Sequence, residues 1–358
     1  MRGTRELLLK TLLVLIFLSS LYIWYMWCSD SSVPHSLPQP AAGKPVSDSS
    51  GTCKNCRTEL TIDQEVKLYN SEWKKEGNNF NKFRSQLTSW CHGITKAIIT
   101  QANTPVGTEV EFDGEKKKLQ VTPKLFSTFI KDQPFENVTW ETCAVVGNGG
   151  ILVNSSCGEE IDSAQFVIRC NLPPLDSGYE KDVGNKTGLV TANPSILLEK
   201  FEGLMEHRRP FVESLGIYGD SLLLLPAFSY GPNTQVSLYA VYTLQDFQSP
   251  VRPVFLNPEY LRRLAGFWQD QGLHAMRLST GLIMASLALE LCTNVRLYGF
   301  WPFPQHPHGH RLLTNHYYDD RQSKKKVHDM HAEFRHLLLL HHQGVVKVHL
   351  GTCASNLT

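Results

Sequence analysis

Residues 143–152 read CAVVGNGGIL, an apolar run that ends in the glycine-rich turn Gly147-Asn148-Gly149-Gly150. This pattern predicts a buried strand followed by a loop at which the backbone approaches a ligand closely, because glycine has no Cβ. Phosphates and sugars of nucleotides are bound in such loops by many unrelated enzymes. The turn alone is therefore weak evidence for a nucleotide, and the rest of the chain must decide.

The segments after this turn alternate between apolar runs and amphipathic stretches. Strands are predicted in FVIRCNLPP (166–174), GLVTANPS (188–195), DSLLLLPAF (220–228), VFLN (254–257) and NVRLYGFWPF (294–303). Helices are predicted in EEIDSAQ (159–165), SILLEKFEGLMEH (195–207), residues 258–272 and residues 278–292. This alternation favours an α/β fold, a single Rossmann-like nucleotide-binding domain with a mostly parallel sheet flanked by helices.

Polar and aromatic side chains follow several of these strands directly. In open α/β sheets the ligand binds outside the carboxyl ends of the strands. The residues in question are Asn148, Asn171, Asn193 and Trp301. We expect them to line one cleft.

The N-terminus predicts a membrane anchor. Residues 11–28 (TLLVLIFLSSLYIWYMWC) carry no charge and follow Arg2, Arg5 and Lys10, and about 20 apolar residues span a bilayer. The positive-inside rule then leaves residues 1–10 in the cytoplasm. A cleaved signal peptide is the alternative, but no small-residue cleavage site follows.

The rest of the chain is expected on the lumenal side. Residues 29–59 are rich in Ser, Pro and Gly and predict a flexible stem. Residues 60–134 form a variable region with amphipathic helices up to about residue 100 and a hairpin or loop at FDGEKKKLQV (112–121), and the main body is expected at 135–353. Four N-glycosylation sequons agree with a lumenal body: Asn137, Asn154, Asn185 and Asn356.

Two further segments carry candidate chemistry. Ser279 and Thr280 precede an apolar helix with Gly281 in its first turn, a pattern typical of a capped helix start that attracts an anion. A capped helix without a ligand is the alternative. The histidines of HYYD (316–319) and HDMHAE (328–333) are candidate general bases.

A resident metal and nucleic acid are both disfavoured. The chain has no Asp-X-Asp sequence that would hold a nucleotide-bound divalent cation, and His306, His308 and His310 in one loop are interpreted as solvated. Its net charge of +1 gives no indication of nucleic-acid binding.

These segments, in this order, resemble the four motifs of the animal sialyltransferases, glycosyltransferase family 29. Residues 143–195 resemble the large sialylmotif, 277–303 the small one, HYYD the third, and His328 with Glu333 the very small one. The forms GNGG, RCNLPP, NPS and GFWPF are similar to the α-2,8 branch, most closely to its sixth subtype.

The resemblance implies inverting, metal-independent transfer of sialic acid from CMP-sialic acid to a terminal sialic acid of an O-glycan or ganglioside. It implies no cofactor, a Golgi membrane enzyme of type II topology and a possible homodimer. His328 would be the general base and His316 would stabilise the phosphate leaving group. Donor-binding residues would be Asn148, Asn171, Asn193, Ser279, Thr280, Gly281, Trp301, Asn315 and His316. Several relatives have Tyr or His where Asn315 stands.

The resemblance also implies the disulfides Cys143–Cys292 and Cys157–Cys353, with Cys170 as a buried free thiol. Cys53, Cys56 and Cys91 are expected to pair among themselves, and Cys28 to be acylated or to cross-link a dimer.

Two other functions were weighed. A sialyltransferase fold that binds without turnover is disfavoured by the presence of both histidines. A nicotinamide-dependent oxidoreductase is disfavoured because Leu152 stands where a third glycine is needed. The stretch before the small motif has few basic residues, mainly His207, Arg208 and Arg209, which predicts addition of one or a few sugars.

Overall fold

The structure is a computed structural model that describes residues 62–69, 72–309, 311–321 and 328–353. The predicted anchor, the stem and the sequon at Asn356 lie outside these residues, as do Cys28, Cys53, Cys56 and His310. Within the described ranges, no helix is both long enough and apolar enough to cross a membrane.

An eight-stranded sheet lies at the centre of the fold, and a separate two-stranded hairpin lies beside it. The strands are β1 (Ile98–Ile99), β2 (Glu109–Glu111), β3 (Lys118–Gln120), β4 (Trp140–Val146), β5 (Phe166–Arg169), β6 (Leu189–Thr191), β7 (Leu222–Leu225), β8 (Arg252–Leu256), β9 (Cys292–Tyr298) and β10 (Lys347–His349). The order in the large sheet is β1-β8-β7-β6-β5-β4-β9-β10, and only the β1–β8 pair is antiparallel. The mostly parallel sheet is confirmed, as is the hairpin at β2 and β3.

Helices cover both faces of the sheet. Residues 62–68 form α1, followed by α2 (Gly77–Cys91), α3 (Gly93–Lys96), α4 (Pro123–Phe126), α5 (Gly158–Asp162), α6 (Glu180–Val183), α7 (Pro194–Glu199), α8 (Arg208–Leu215), α9 (Gly231–Asp246), α10 (Pro258–Asp270), α11 (Thr280–Leu291) and α12 (Met330–His342). Short 3-10 turns occur at Gly150–Leu152, Glu202–Leu204 and Gly216–Tyr218.

The two faces carry two separate apolar cores, because successive strand residues point to opposite sides. In β4, Cys143 and Val145 pack in one core while Ala144 and Val146 pack in the other. The first core also takes buried residues of α2, α10, α11 and α12, and the second takes those of α5, α8 and α9. The result is a helix–sheet–helix arrangement of three layers.

The region before residue 135 is part of this body. Ile62, Phe80, Phe83 and Leu87 are buried in the same core as α10 and α11. Strand β1 extends the large sheet by pairing with β8. In the fold, residues 62–134 and 135–353 are therefore packed as one unit.

Two helices differ from the sequence prediction. The helix predicted over 195–207 stops at Glu199, and Gly203 has a φ of 64°, a left-handed conformation that interrupts a helix. Conversely, α9 was missed because its sequence GPNTQVSLYAVYTLQD has no clear apolar stripe. Its buried positions mix apolar residues such as Val236 and Leu244 with small or polar ones such as Ser237 and Ala240.

Two disulfides join distant parts of the chain, and they are the pairs that the family resemblance implies. Cys143–Cys292 connects the start of β9 to β4, and Cys157–Cys353 fixes the segment after β10 beside α5. Cys91 and Cys170 are buried free thiols. Cys91 is therefore not paired with Cys53 or Cys56, and burial raises the pKa of both thiols to about 12.

Glu290 is a fully buried carboxyl group near the end of α11. It accepts hydrogen bonds from the Gly93 N–H at 2.7 Å and from the Tyr260 hydroxyl at 3.4 Å. Burial raises the pKa of Glu290 to about 7, although Arg84 acts in the opposite direction. A Cβ on Gly93 would lie 2.4 Å from Glu290 Oε1, so this carboxyl group also requires the glycine at the start of α3.

Glu290 predicts greater stability in mildly acidic conditions. A carboxyl group whose pKa rises on folding binds its proton more tightly in the folded state, so stability falls as pH rises from about 4.5 to about 7. We expect the free energy of unfolding of the wild type, relative to Glu290→Gln, to fall by up to about 3 kcal/mol between about pH 5 and about pH 8. Urea titration at both pH values measures this difference. The exposed control Glu199→Gln should show no such change, and a pH-independent difference for Glu290→Gln would contradict the prediction.

Candidate active site

The carboxyl ends of the strands form the candidate site. Strand β4 lies between β5 and β9, and the chain runs from β4 to β8 on one side before it returns to β9 on the other. This is a topological switch point, where a crevice opens in an α/β sheet. Asn148 follows β4, Asn171 follows β5, Asn193 follows β6 and Trp301 follows β9, so all four lie at one edge.

The glycines of the GNGG turn are required by the protein backbone itself. A Cβ on Gly149 would lie 2.6 Å from the Gly299 carbonyl oxygen, and one on Gly150 would lie 2.1 Å from that of Thr314. The space beside these glycines, which we expected a ligand to occupy, is thus filled by the turn after β9 and by the loop before His316. Only Asn148 in this turn directs a functional side chain to the site.

Asn148 connects three parts of the site. Its Nδ2 donates to the Cys170 carbonyl at 2.8 Å and to the Tyr318 hydroxyl at 3.4 Å. Its Oδ1 is buried and has no hydrogen-bond partner among the described residues. A buried acceptor without a partner is costly. This oxygen is therefore suited to accept a hydrogen bond from a ligand.

Asn171 is held in a left-handed conformation, with a φ of 64°. Its backbone N–H donates to Thr191 Oγ1 at 2.9 Å, and that hydroxyl donates to Asn171 Oδ1 at 3.2 Å. These two bonds fix the side chain between β5 and β6. Its Nδ2 donors make no hydrogen bond to any described residue, so they are free to bind a ligand.

The HYYD loop packs directly on the GNGG turn. Gly149 and His316 form an antiparallel bridge, and the Tyr317 N–H donates to the Asn148 carbonyl at 2.9 Å. The His316 ring stacks on Tyr318 with 5.2 Å between centroids. Burial raises the pKa of Tyr318 to about 12, so its hydroxyl remains protonated at neutral pH.

His316 is oriented by a carboxylate. Its Nδ1 lies 2.7 Å from Asp319 Oδ1, and the same oxygen accepts from the Arg321 N–H at 3.1 Å. An ionised carboxylate only accepts hydrogen bonds, so Nδ1 carries the proton. The other nitrogen, Nε2, lies 3.3 Å from Asn315 Nδ2. Asn315 is exposed and is itself held by a hydrogen bond from Nδ2 to the Arg321 carbonyl.

The start of α11 forms the other half of the site. Ser279 caps the helix by accepting from the Leu282 N–H at 3.1 Å. Thr280 Oγ1 exchanges hydrogen bonds with the side-chain amide of Asn193, at 3.2 Å and 3.4 Å. A Cβ on Gly281 would lie 2.9 Å from the Phe300 ring. The Ser-Thr-Gly sequence is therefore joined to the ends of both β6 and β9.

His328 and Glu333 are attached to the two residues that flank Leu278. Glu333, which is 2% exposed, accepts from the Ser279 N–H at 2.8 Å. Burial raises the pKa of this carboxyl group, although Ser279 hydrogen bonds oppose the effect. His328 is exposed, and its Nδ1 lies 2.9 Å from the Arg277 carbonyl oxygen. Because a carbonyl only accepts, Nδ1 carries the proton and Nε2 presents a free lone pair to solvent.

Trp301 has a different surrounding from the one expected. The prediction was that it packs against the nucleotide, but its ring is 7% exposed and lies among Phe303 and Phe334, at centroid distances of 4.7 Å and 5.3 Å. Its Nε1 donates to the Gln305 carbonyl. In this structure Trp301 supports the wall between β9 and α12 and has little free ring surface.

The sequence prediction missed the residues that orient the histidines. Asp319, three residues after His316, was visible as a nearby carboxylate. The contact between Arg277 and His328 could not be predicted from the residue type, because it is made by a main-chain carbonyl that every residue has. Where metals are concerned, Cys157, His349 and Cys353 are the one potential ligand cluster in the described part of the chain, and both sulfurs belong to a disulfide.

Comparison with known sequences defines the class of protein. Residues 92–345 match glycosyltransferase family 29 (sialyltransferase). The chain therefore belongs to this family and is a glycosyltransferase.

Named relatives place it in the α-2,8-sialyltransferase branch. The chain is 39% identical over 343 residues to alpha-2,8-sialyltransferase 8F of Mus musculus, which covers 92% of this chain and 86% of the relative. It is 43% identical over 294 residues to alpha-2,8-sialyltransferase 8E of Homo sapiens, covering 82% and 78%. A solved structure titled as a mammalian sialyltransferase is similar with a TM-score of 0.42 and 20% identity, covering 82% of this chain and 85% of the other.

Proposed function

We propose that this chain transfers sialic acid from CMP-sialic acid to a terminal sialic acid of glycoprotein O-glycans or gangliosides, adding one or a few residues through an α-2,8 linkage. The observation that carries the proposal is the orientation of His328. With Nδ1 bound to the Arg277 carbonyl, Nε2 is an exposed proton acceptor beside the start of α11. This is what a general base for an attacking alcohol requires.

The reaction is a direct displacement with inversion. The acceptor hydroxyl oxygen bonds to the anomeric carbon while its proton passes to His328 Nε2. The bond from the anomeric carbon to the phosphate oxygen breaks, and CMP leaves with the electron pair. His316, held in place by Asp319, stabilises the negative charge that develops on the leaving phosphate.

The donor is bound by groups at the carboxyl edge of the sheet. The unpartnered Oδ1 of Asn148 and the free Nδ2 of Asn171 offer an acceptor and donors to the cytidine moiety. Ser279, Thr280 and Gly281 offer the positive end of α11 to its anionic part, with Asn193 beside Thr280. Asn315 reaches the same edge next to His316. No resident metal or cofactor is part of the proposal.

The proposed location is the Golgi membrane, with residues 1–10 cytoplasmic, 11–28 as a type II anchor, 29–59 as a stem, 60–134 as the variable region and 135–353 as the catalytic domain. Asn137, Asn154 and Asn185 are exposed, which supports glycan addition to a lumenal body. A homodimer is part of the expectation, with no interface assigned.

The alternative is a protein that keeps the fold and binds the nucleotide without turnover. Assay of the full-length chain with CMP-sialic acid distinguishes the two, using sialylated mucin-type glycoprotein and purified gangliosides as acceptors in the presence of a chelator. We expect α-2,8-linked product on the glycoprotein first. Exclusive transfer to lipid would reverse the acceptor order, and a requirement for added manganese would overturn the metal-independent mechanism. CMP binding without any product would support the alternative.

A further inference from the structure

Arg277 is a cation beside the proposed base with no assigned role. Its carbonyl oxygen is the atom that orients His328, so its side chain starts next to the base. The guanidinium carbon lies over the Tyr230 ring, 5.2 Å from the centroid. Such stacking holds the planar group in place without using its hydrogen-bond donors.

The charge of Arg277 is not matched by a partner within the described part of the chain. No carboxylate lies within ion-pair distance of its guanidinium, and none of its donors has a hydrogen-bond acceptor there. The Arg277 charge acts electrostatically on Asp113, where burial raises the pKa of the carboxyl group and Arg277 opposes that rise. The five donors of a half-buried guanidinium are therefore available to an anion.

The main chain of Arg277 places this cation beside the proposed base, whereas His316 belongs to a different loop. His316 and Asp319 lie on the loop that covers β4, whereas Arg277 lies two residues before the Ser279 cap and shares its main chain with the His328 contact. A base must lie next to the alcohol that it deprotonates. A carboxylate on the molecule that carries the attacking hydroxyl would therefore lie close to Arg277.

We infer that Arg277 binds the carboxylate of the acceptor's terminal sugar. This rests on the proposed function, in which the acceptor ends in sialic acid. That sugar carries a carboxylate on its ring, and the attacking hydroxyl is on the side chain of the same ring. A guanidinium forms paired, charge-assisted hydrogen bonds with a carboxylate. Arg277 would then select acidic acceptor sugars and position the hydroxyl towards His328.

The test combines a protein change with a ligand change. The full-length chain saturated with CMP is titrated calorimetrically with α2,3-sialyllactose and with its methyl ester, which lacks the negative charge. We expect Arg277→Gln to weaken binding of the acid about 10- to 100-fold, as loss of a charge-assisted bond predicts. For the variant, the acid and the ester should bind almost equally, whereas the wild type should prefer the acid by a similar factor.

Controls separate this role from folding and from the proposed reaction. Arg252→Gln removes the same charge at the opposite edge of the sheet, where Arg252 donates to the Asp220 carbonyl, and should bind the acid as the wild type does. Arg277→Lys keeps the positive charge and the aliphatic stem but cannot form the two parallel hydrogen bonds of a guanidinium to a carboxylate. If Arg277→Gln does not fold, the same titrations are made with Arg277→Lys. Equal preference for the acid in wild type and both variants overturns the inference, as does weaker binding of CMP-sialic acid with unchanged acceptor binding. Because binding is measured directly, a lack of turnover would contradict the proposed function alone.

Discussion

Replacement of His328 by alanine should reduce kcat by about 10²- to 10⁴-fold, the usual contribution of a general base. With the proposed base removed, the acceptor hydroxyl would have to lose its proton to water. CMP affinity should remain within about twofold of wild type, because the proposed nucleotide contacts lie at Asn148, Asn171 and α11. Steady-state kinetics and calorimetric titration with CMP measure the two quantities.

His331→Ala is the matched control for this experiment. His331 is an exposed histidine at the start of α12, three residues after His328, and its ring packs edge-on against Phe303 at 4.9 Å. Its loss should leave kcat nearly unchanged. If His328→Ala turned over at close to the wild-type rate, His328 would not be the general base. If it lost CMP affinity together with kcat, the role of His328 would be structural.

Replacement of His316 by alanine should lower kcat by about 10²- to 10³-fold, the range for loss of one donor to a developing negative charge. The effect should depend on the leaving group, because in the proposed mechanism His316 acts on the phosphate and not on the acceptor. Asp319→Asn keeps the shape of the carboxylate but removes its charge, so we expect a smaller loss with the same sign. Rates with CMP-sialic acid at saturating acceptor measure both variants.

The exposed His308 provides the comparison for His316. It lies in the preceding loop, where its backbone N–H donates to His306 Nδ1 at 3.0 Å, and His308→Ala should retain wild-type kcat. An unchanged kcat for His316→Ala, with normal folding, would show that the leaving phosphate is stabilised by another group.

The sequence predicted the strands well because their signal is local. Runs such as LLLL at 222–225 and FVIR at 166–169 are buried on both faces of a parallel sheet and carry no polar residue other than Arg169. Strand ends also placed Asn148, Asn171 and Asn193 at one edge correctly. Helix α9 was missed because its buried positions mix apolar residues with Ser, Ala and Thr and form no clear apolar stripe. The helix at 195–207 was extended too far because Gly203 was not recognised as a stop.

The site was predictable in its residue types but not in its internal contacts. The free Oδ1 of Asn148 and the orientation of His316 by Asp319 depend on three-dimensional packing. Trp301 shows the limit most clearly. Its position after β9 predicted a ring that faces the nucleotide, but nearby aromatic residues from α12 and the following loop cover it.

The contact between His328 and the main chain of residue 277 has a consequence for how enzymes of this kind diversify. Every amino acid supplies a carbonyl, so any side chain at position 277 leaves the proton on the same nitrogen of the imidazole. With the roles proposed for Arg277 and His328, a single substitution at position 277 would change the preference for the acceptor sugar without disabling the base. In this proposal, residue 277 contributes to acceptor selectivity through its side chain and to the orientation of the base through its main-chain carbonyl.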